Sequence, residues 1–185
     1  MLKVWGRDTS SNVQKVMWAV TEIGLPVERI DIGGSFGRNR EKPYLAMNPN
    51  GLVPTIEEED GFTLWESNSI VRYLAAKHKS SLGPADLRVS ARAQKWLDWQ
   101  LAVMAPAILP LFLGLVRTPP AERNAKAIDE SRSKPGDARI LDDQLGRTAF
   151  LAGNAFSYGD IPVGSMVWRY RELVPDRPVF ANLER

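Results

Sequence analysis

The chain is poor in two side chains that enzymes often use as nucleophile and general base, cysteine and histidine. It contains no cysteine and one histidine, His78, so disulfides, thiolate zinc sites and multi-histidine metal sites are excluded, and we expect no metal. His78 lies between Lys77 and Lys79, which is typical of a solvated surface histidine, and we assign it no role. Any thiol chemistry must therefore use a thiol from another molecule.

Hydroxyl and amide side chains are concentrated in one short segment, Thr9-Ser10-Ser11-Asn12. It comes after the apolar stretch Leu2 to Trp5, a predicted strand, and precedes Val13 to Ile23, whose apolar residues recur at helical spacing. Because Ser, Thr and Asn are the common helix caps, one interpretation is that they only begin this helix. Whether these residues also have a chemical role is judged from motifs further along the chain.

Two further motifs are a proline in a predicted strand and a pair of polar residues at the end of the next strand. Pro54 lies in the predicted strand Val53 to Ile56, just before an acidic turn, and a proline in a strand lacks a donor for the sheet. Glu66-Ser67 lies where the returning strand, Phe62 to Trp65, ends and a helix begins. Ser67 is predicted to cap that helix, and N–H groups at a helix start attract a carboxylate.

A basic loop connects the second strand to these motifs. Gly33 to Pro43 contains Arg38, Asn39 and Arg40, and Lys42 closes the charged run. The loop lacks the Gly-Lys-Ser/Thr ending of a phosphate-binding loop, so a nucleotide site is disfavoured. A solvated charge run is the alternative to an anion site.

The elements that position these residues change character along the chain. Strand, helix and strand (Val27 to Ile32) are followed by a hairpin of Val53 to Ile56 with Phe62 to Trp65, and by a helix from Ser67 to about Lys77. Lys79 to Asp86 is the best linker, and only helices come after it. These are predicted at Val89 to Gly114, at about Pro135 to Leu145, and after a capping box at Ser157 to Asp160.

Composition limits the classes of function. Hydrophobic residues make up 44% and charged residues 25%, and 24 Lys plus Arg against 22 Asp plus Glu give a net charge of +2, which argues against a dedicated nucleic-acid binder. The uncharged run between Asp98 and Arg117 carries Pro106 and Pro110, and we interpret it as a buried, bent helix rather than a membrane span. No signal-peptide pattern opens the chain, so a cytoplasmic location is expected.

Together these motifs resemble those of the glutathione transferase family, in its bacterial, serine-type, theta- or nu-like form. Asn48-Pro49-Asn50-Gly51-Leu52-Val53-Pro54 and Leu64-Trp65-Glu66-Ser67-Asn68-Ser69-Ile70 are similar to the family's paired glutathione-binding signature, and Asp160 after Ser157 matches its helical capping motif. The resemblance implies an α/β thioredoxin-like N-terminal domain (1–78) followed by an all-α C-terminal domain (87–185), which looks shortened at its C-terminus.

The resemblance also implies roles for particular residues. A cis peptide between Val53 and Pro54 exposes the Val53 backbone to the cysteinyl residue of glutathione, while Ser67 and Glu66 hold the γ-glutamyl end. Ser10 falls where theta-type members have a catalytic serine. Asn12 falls where a disulfide-reductase-like class has an asparagine. Arg38, Arg40 and Lys42 are candidates for the glycyl carboxylate, since Leu52 replaces the usual Lys, Arg or Gln there.

The leading hypothesis is therefore a cytoplasmic, homodimeric detoxification enzyme with glutathione as cosubstrate. It would stabilise the glutathione thiolate for attack on an apolar electrophile. A glutathione-dependent disulfide reductase is the first alternative, because glutathione can attack a disulfide without a protein cysteine. The second is a non-catalytic binding module on the same fold, motivated by Leu52 and the short C-terminus.

Overall fold

The chain divides into two units, Met1–Gly83 and Pro84–Arg185. They are seen in a computed structural model, which describes residues 1–133 and 138–185. The first unit is a four-stranded sheet with helices, as predicted. The second is helical, and the only ladder pairing described in it is an isolated bridge between Phe150 and Gly153.

The sheet of the first unit has the strand order β2-β1-β3-β4. The unit contains β1 (Leu2–Trp5), α1 (Ser11–Ile23), β2 (Val27–Ile30), α2 (Lys42–Met47), β3 (Thr55–Glu57), β4 (Thr63–Trp65) and α3 (Ser67–Lys77). β1 pairs with β2 in parallel, and β3 pairs antiparallel with both β1 and β4. The predicted strand–helix–strand unit and hairpin are thus confirmed, with strand bounds shifted by two residues or fewer at most ends.

Helix α2 was not predicted from the sequence, which placed a loop through Pro43. It is only six residues long, too short to show a helical repeat of apolar positions, and Pro43 lies in its first turn, where a missing N–H costs nothing. Its buried Tyr44 turns toward the segment before β3. α2 therefore supports the loop that carries Val53 and Pro54.

One long helical stretch, Leu87–Arg117, begins the second unit. It comprises α4 (Leu87–Trp99), a π-helical turn, α5 (Ala105–Phe112) and a second π-helical turn ending at Arg117. By length and composition alone it could cross a membrane, a test that core helices of soluble proteins also pass. The prediction that the uncharged run between Asp98 and Arg117 is buried is wrong for much of the surface of that run. The exposed large apolar residues of the whole stretch are Leu87, Leu101, Leu109, Leu113 and Val116.

The described part of the second unit contains three more α-helices, α6 (Ala125–Ser133), α7 (Ala138–Leu145) and α8 (Asp160–Leu173). α6 was not predicted, and the predicted helix start at about Pro135 lies outside the described residues. The motif before α8 differs from a standard capping box. The Asp160 carboxylate accepts from the Ser157 N–H (2.9 Å), the Ser157 hydroxyl (3.0 Å) and the Leu151 N–H (2.8 Å).

A buried lysine lies between α1 and α3. Lys15 is 1% exposed, and its Nζ donates to Asn68 Oδ1 at 3.4 Å. Burial lowers the pKa of Lys15 to about 8, while the Glu66 carboxylate acts in the opposite direction. The ammonium thus joins the first helix to the residues that open the third.

This burial predicts an unusual dependence of stability on pH. Since the pKa of Lys15 is lower in the folded chain, the unfolded chain binds more protons between about pH 8 and 10.5, and stability contributed by this group rises across that window. The full rise is about 3 kcal/mol at about 1.36 kcal/mol per pKa unit. Urea titrations at several pH values should show it.

Lys15→Met should remove this rise, because it replaces the ammonium with an apolar side chain of similar length. Lys126→Met is the control, since the Lys126 side chain is 86% exposed. Identical pH profiles for Lys15→Met and the unmodified chain would contradict the prediction.

Candidate functional site

Ser10 lies between β1 and α1, and its hydroxyl makes no hydrogen bond to the helix. It occupies the N-cap position with extended backbone (φ −83°, ψ 121°), yet its side chain accepts no capping hydrogen bond. Its carbonyl accepts from the Gln14 N–H at 2.9 Å, and its own N–H donates to the Arg7 carbonyl at 3.3 Å. The backbone is therefore held in place while Oγ is free to contact a ligand.

A network of buried polar side chains fixes the position of the segment before β3. The Leu52 carbonyl accepts from the Tyr44 hydroxyl at 2.6 Å and from Asn48 Nδ2 at 2.9 Å. Both side chains also contact Thr55 Oγ1, at 2.9 Å and 3.2 Å. Burial raises the pKa of Tyr44, so its hydroxyl stays protonated and donates.

This network precedes a cis peptide bond between Val53 and Pro54, the bond that the resemblance implied. Within the described residues, neither the N–H nor the carbonyl of Val53 has a hydrogen-bond partner. A backbone pair of this kind next to a sheet strand can accept an extended peptide as an added strand. Leu52 turns outward and is 60% exposed.

The prediction that Ser67 caps α3 is wrong. Glu66 occupies the N-cap position with a positive φ of 71°, and Ser67 is the first helical residue. The Ser67 hydroxyl instead donates to Asn12 Oδ1 at 3.4 Å, which connects the starts of α3 and α1. The first N–H groups of α3 have no intrahelical acceptor, as at any helix start, and they favour a bound carboxylate.

Two clefts in the first unit bring most of the predicted residues together. The larger has a volume of about 210 Å³ and the smaller about 50 Å³, and both are bordered by Asn12, Leu52 and Val53. The larger is also lined by Arg7, Ser10, Gly33, Asn39 and Gly51, and the smaller by Asn48, Asn50, Pro54, Glu66 and Ser67. Along the two clefts lie the strand edge at Val53, the start of α3 and the Ser10 hydroxyl.

The basic side chains of the predicted loop, Arg38, Arg40 and Lys42, line neither cleft, although Gly33 and Asn39 of the same loop line the larger one. The Arg38 guanidinium donates to the Asp31 carbonyl, and Arg40 Nη1 donates to the Asn50 carbonyl at 3.0 Å. Lys42 is the first residue of α2. Sequence reasoning missed Arg7, the guanidinium that does line the larger cleft. Its signal was position: it directly follows the first strand and Gly6, three residues before Ser10.

Size alone does not identify the site in the first unit. The most voluminous of its described clefts, about 380 Å³, is bordered by Leu25, Glu58, Lys77 and His78 and contains none of the motif residues. We place the candidate site at the two smaller clefts because the hydroxyl, the unpaired strand edge and the helix start meet there. Among the described residues, no cluster of three His, Asp or Glu side chains is placed to hold a metal.

Comparison with known proteins agrees with this geometry. Residues 9–77 match the family model for the glutathione S-transferase N-terminal domain. The chain is 42% identical over 172 residues to glutathione S-transferase GstB of Escherichia coli K12, covering 91% of this chain and 82% of that protein. It is 30% identical over 164 residues to glutathione S-transferase 4 of Zea mays, covering 86% and 73%.

Solved structures extend the likeness to nearly the whole chain. The theta class glutathione S-transferase of Xanthomonas axonopodis pv. citri, solved with glutathione bound, superposes with a TM-score of 0.94 at 39% identity, covering 99% of this chain and 88% of that one. Glutathione transferase F7 of Populus trichocarpa gives 0.87 at 27% identity, covering 100% and 92%. With its thioredoxin-like first unit, helical second unit and these relatives, the chain belongs to the glutathione S-transferase family.

Proposed function

We propose that the chain is a glutathione transferase that binds glutathione across the two clefts and uses its thiolate to attack an electrophilic small molecule. The observation that carries this proposal is the unpaired Val53 backbone, which borders both clefts and lies between Ser10 on one side and Glu66 and Ser67 on the other. The Xanthomonas relative, whose structure holds glutathione, supports the same ligand.

Each part of the peptide has a counterpart in the site. The cysteinyl backbone pairs with the N–H and carbonyl of Val53 beside Pro54, as an added strand. The γ-glutamyl carboxylate takes the Ser67 hydroxyl and the first N–H groups of α3, and the exposed Glu66 carboxylate accepts from the ammonium. The thiol then lies in the larger cleft, which Ser10 and Asn12 line.

Ser10 stabilises the thiolate by donating a hydrogen bond. An unperturbed thiol has a pKa of about 8.5, so only a few per cent is ionised at neutral pH. A hydrogen bond to a charged acceptor contributes about 1.5 to 3 kcal/mol, and a helix start adds about 0.3 to 1. Together they lower the thiol pKa by roughly 1.3 to 3 units, so the thiolate predominates near neutrality over most of this range.

Asn12 supports a second candidate, a glutathione-dependent disulfide reductase. The Asn12 side chain borders both clefts, and its Oδ1 accepts from the Ser67 hydroxyl. It can therefore contact either the sulfur of glutathione or the peptide backbone. In that reaction the glutathione thiolate attacks one sulfur of a small disulfide and the other sulfur leaves as a thiolate. A cytoplasmic detoxification role and a division into domains at 1–78 and 87–185 belong to the same proposal.

Glutathione binding is tested by titration calorimetry with the full chain. Ser67→Ala should raise the dissociation constant about tenfold or more, because it removes a hydroxyl that donates to a carboxylate, an interaction worth about 1.5 to 3 kcal/mol. Ser69→Ala, on the same helix but bordering neither cleft, should bind like the unmodified chain. An unchanged Ser67→Ala would count against the site, and undetectable binding by every protein would favour the non-catalytic module.

The roles of Ser10 and Asn12 are separated by the pH dependence of turnover with an aryl halide and with a small mixed disulfide. Ser10→Ala should raise the apparent pKa by one unit or more and leave glutathione affinity nearly unchanged, while Ser11→Ala keeps the original profile. If Ser10→Ala retains full activity and Asn12→Ala abolishes it, the serine assignment is wrong. Faster turnover of the disulfide than of the halide would select the reductase.

The proposal includes a homodimer, for which the long helix Leu87–Arg117 supplies surface. Leu109, Leu113 and Val116 succeed one another at helical spacing and are 50%, 43% and 51% exposed. Sedimentation should therefore give a species of twice 20.6 kDa at micromolar concentration. Leu109→Glu with Leu113→Glu should shift it toward monomer, whereas Ile140→Glu, a control on α7, should not. A 20.6 kDa species of the unmodified chain would refute the dimer.

A further inference from the structure

The proposed function, on which this inference rests, leaves one charged group of glutathione without an obvious partner. The smaller cleft takes the γ-glutamyl end, and Val53 borders both clefts, so the glycyl carboxylate extends along the larger cleft. A half-buried carboxylate needs a cation or several N–H donors. Leu52, which turns outward beside this cleft, has neither a charge nor a side-chain donor.

The arginines of the basic loop are poorly placed for this carboxylate. Arg38 and Arg40 each donate to a backbone carbonyl, and neither they nor Lys42 border the larger cleft. Asn39 does border it, but its Nδ2 donates to the Gly51 carbonyl at 2.7 Å. These side chains hold the loop together and leave the charge of the ligand to another residue.

Arg7 is in the required place with its donors unused. Its backbone is fixed at both ends: the N–H donates to the Ile32 carbonyl at 3.2 Å and the carbonyl accepts from the Ser10 N–H at 3.3 Å. The side chain is half-buried and borders the larger cleft. Throughout residues 1–133 and 138–185 its guanidinium has no hydrogen-bond or ion-pair partner.

Two glycines create the space in which the Arg7 side chain lies. Gly33 and Gly34 both have positive φ, 79° and 61°. A Cβ at Gly34 would lie 2.9 Å from both Cδ and Nε of Arg7, and a Cβ at Gly33 would lie 3.3 Å from Nη1. The Arg7 side chain therefore packs over bare backbone, and a Cβ at Gly34 would require it to shift.

The direction of the side chain favours the carboxylate over the sulfur. The position of a Gly33 Cβ is 3.3 Å from Arg7 Nη1, 3.3 Å from Val53 Cγ1 and 3.8 Å from Asn39 Cγ. The end of the guanidinium thus lies where the Val53 side chain meets the Asn39 loop. A peptide paired with Val53 carries its C-terminal residue along this wall of the cleft.

We infer that Arg7 binds the glycyl carboxylate of glutathione and replaces the cation that Leu52 does not provide. The five N–H donors of a guanidinium can hold a carboxylate through two parallel hydrogen bonds. Arg7 is then a specificity-determining residue, since it distinguishes glutathione from thiols that lack this carboxylate.

The test compares glutathione with its glycyl monoethyl ester, which keeps the thiol and the γ-glutamyl end but has no glycyl charge. In titration calorimetry, Arg7→Met should weaken glutathione binding roughly 10- to 100-fold. The ester should bind the unmodified chain and Arg7→Met with equal affinity. A similar loss for both ligands, or an unchanged glutathione affinity with a raised thiol pKa, would overturn the assignment and place Arg7 at the sulfur or outside the site.

A second pair of variants tests the position of Arg7 without altering its charge. Gly34→Ala should displace the side chain and reduce the preference for glutathione over the ester. Gly37→Ala is the matched control, because Gly37 has the same φ of 61° and no atom within 4 Å of a Cβ there. Equal preference in Gly34→Ala and Gly37→Ala would contradict the inferred packing.

Rescue by a second cation completes the experiment. Leu52→Lys should restore glutathione affinity to Arg7→Met while adding little to the unmodified chain. If Leu52→Lys fails to restore the glutathione affinity of Arg7→Met but strongly raises that of the unmodified chain, Arg7 does not bind the carboxylate and the inference is overturned. If the unmodified chain binds neither glutathione nor the ester, the proposed function fails as well, whereas binding that Arg7→Met leaves intact removes only the role of Arg7.

Discussion

The carbonyl of Leu52 is the point on which the proposed site depends. It accepts from Tyr44 on α2 and from Asn48 just after that helix, and both donors also contact Thr55 at the start of β3. Polar groups at this depth are tolerated only when they are paired, so the network fixes the path of the chain before Pro54. Because that path is fixed, Val53 can keep an unpaired backbone without the segment collapsing onto the sheet.

The sheet was predictable from the sequence because its signals are local. Runs of β-branched and apolar residues mark the strands, and glycine and the acidic turn mark their ends. The helix that supports the site was not predictable in the same way, since six residues are fewer than two turns and α2 has no amphipathic repeat. Its importance lies in Tyr44, whose hydroxyl partners are eight and eleven residues away.

The site itself was predictable in its residue types but not in its bonding. Ser67 has the sequence context of a cap, yet the positive φ of Glu66 shifts the cap back by one residue and turns the Ser67 hydroxyl toward Asn12. Arg38 and Arg40 have the context of an anion site, yet each donates to a backbone carbonyl and borders neither cleft. Motif spacing specifies which side chains are near one another, whereas the backbone torsions between them decide which atoms meet.

The bond between Ser67 and Asn12 has a consequence for the two ends of the ligand. A serine has one hydroxyl proton, and here Asn12 Oδ1 receives it. In the proposed complex that proton would go to the carboxylate at the γ-glutamyl end, and the asparagine oxygen would lose this donor. Binding of the γ-glutamyl end, as proposed, would therefore change the hydrogen bonding of Asn12, which also borders the cleft proposed for the thiol.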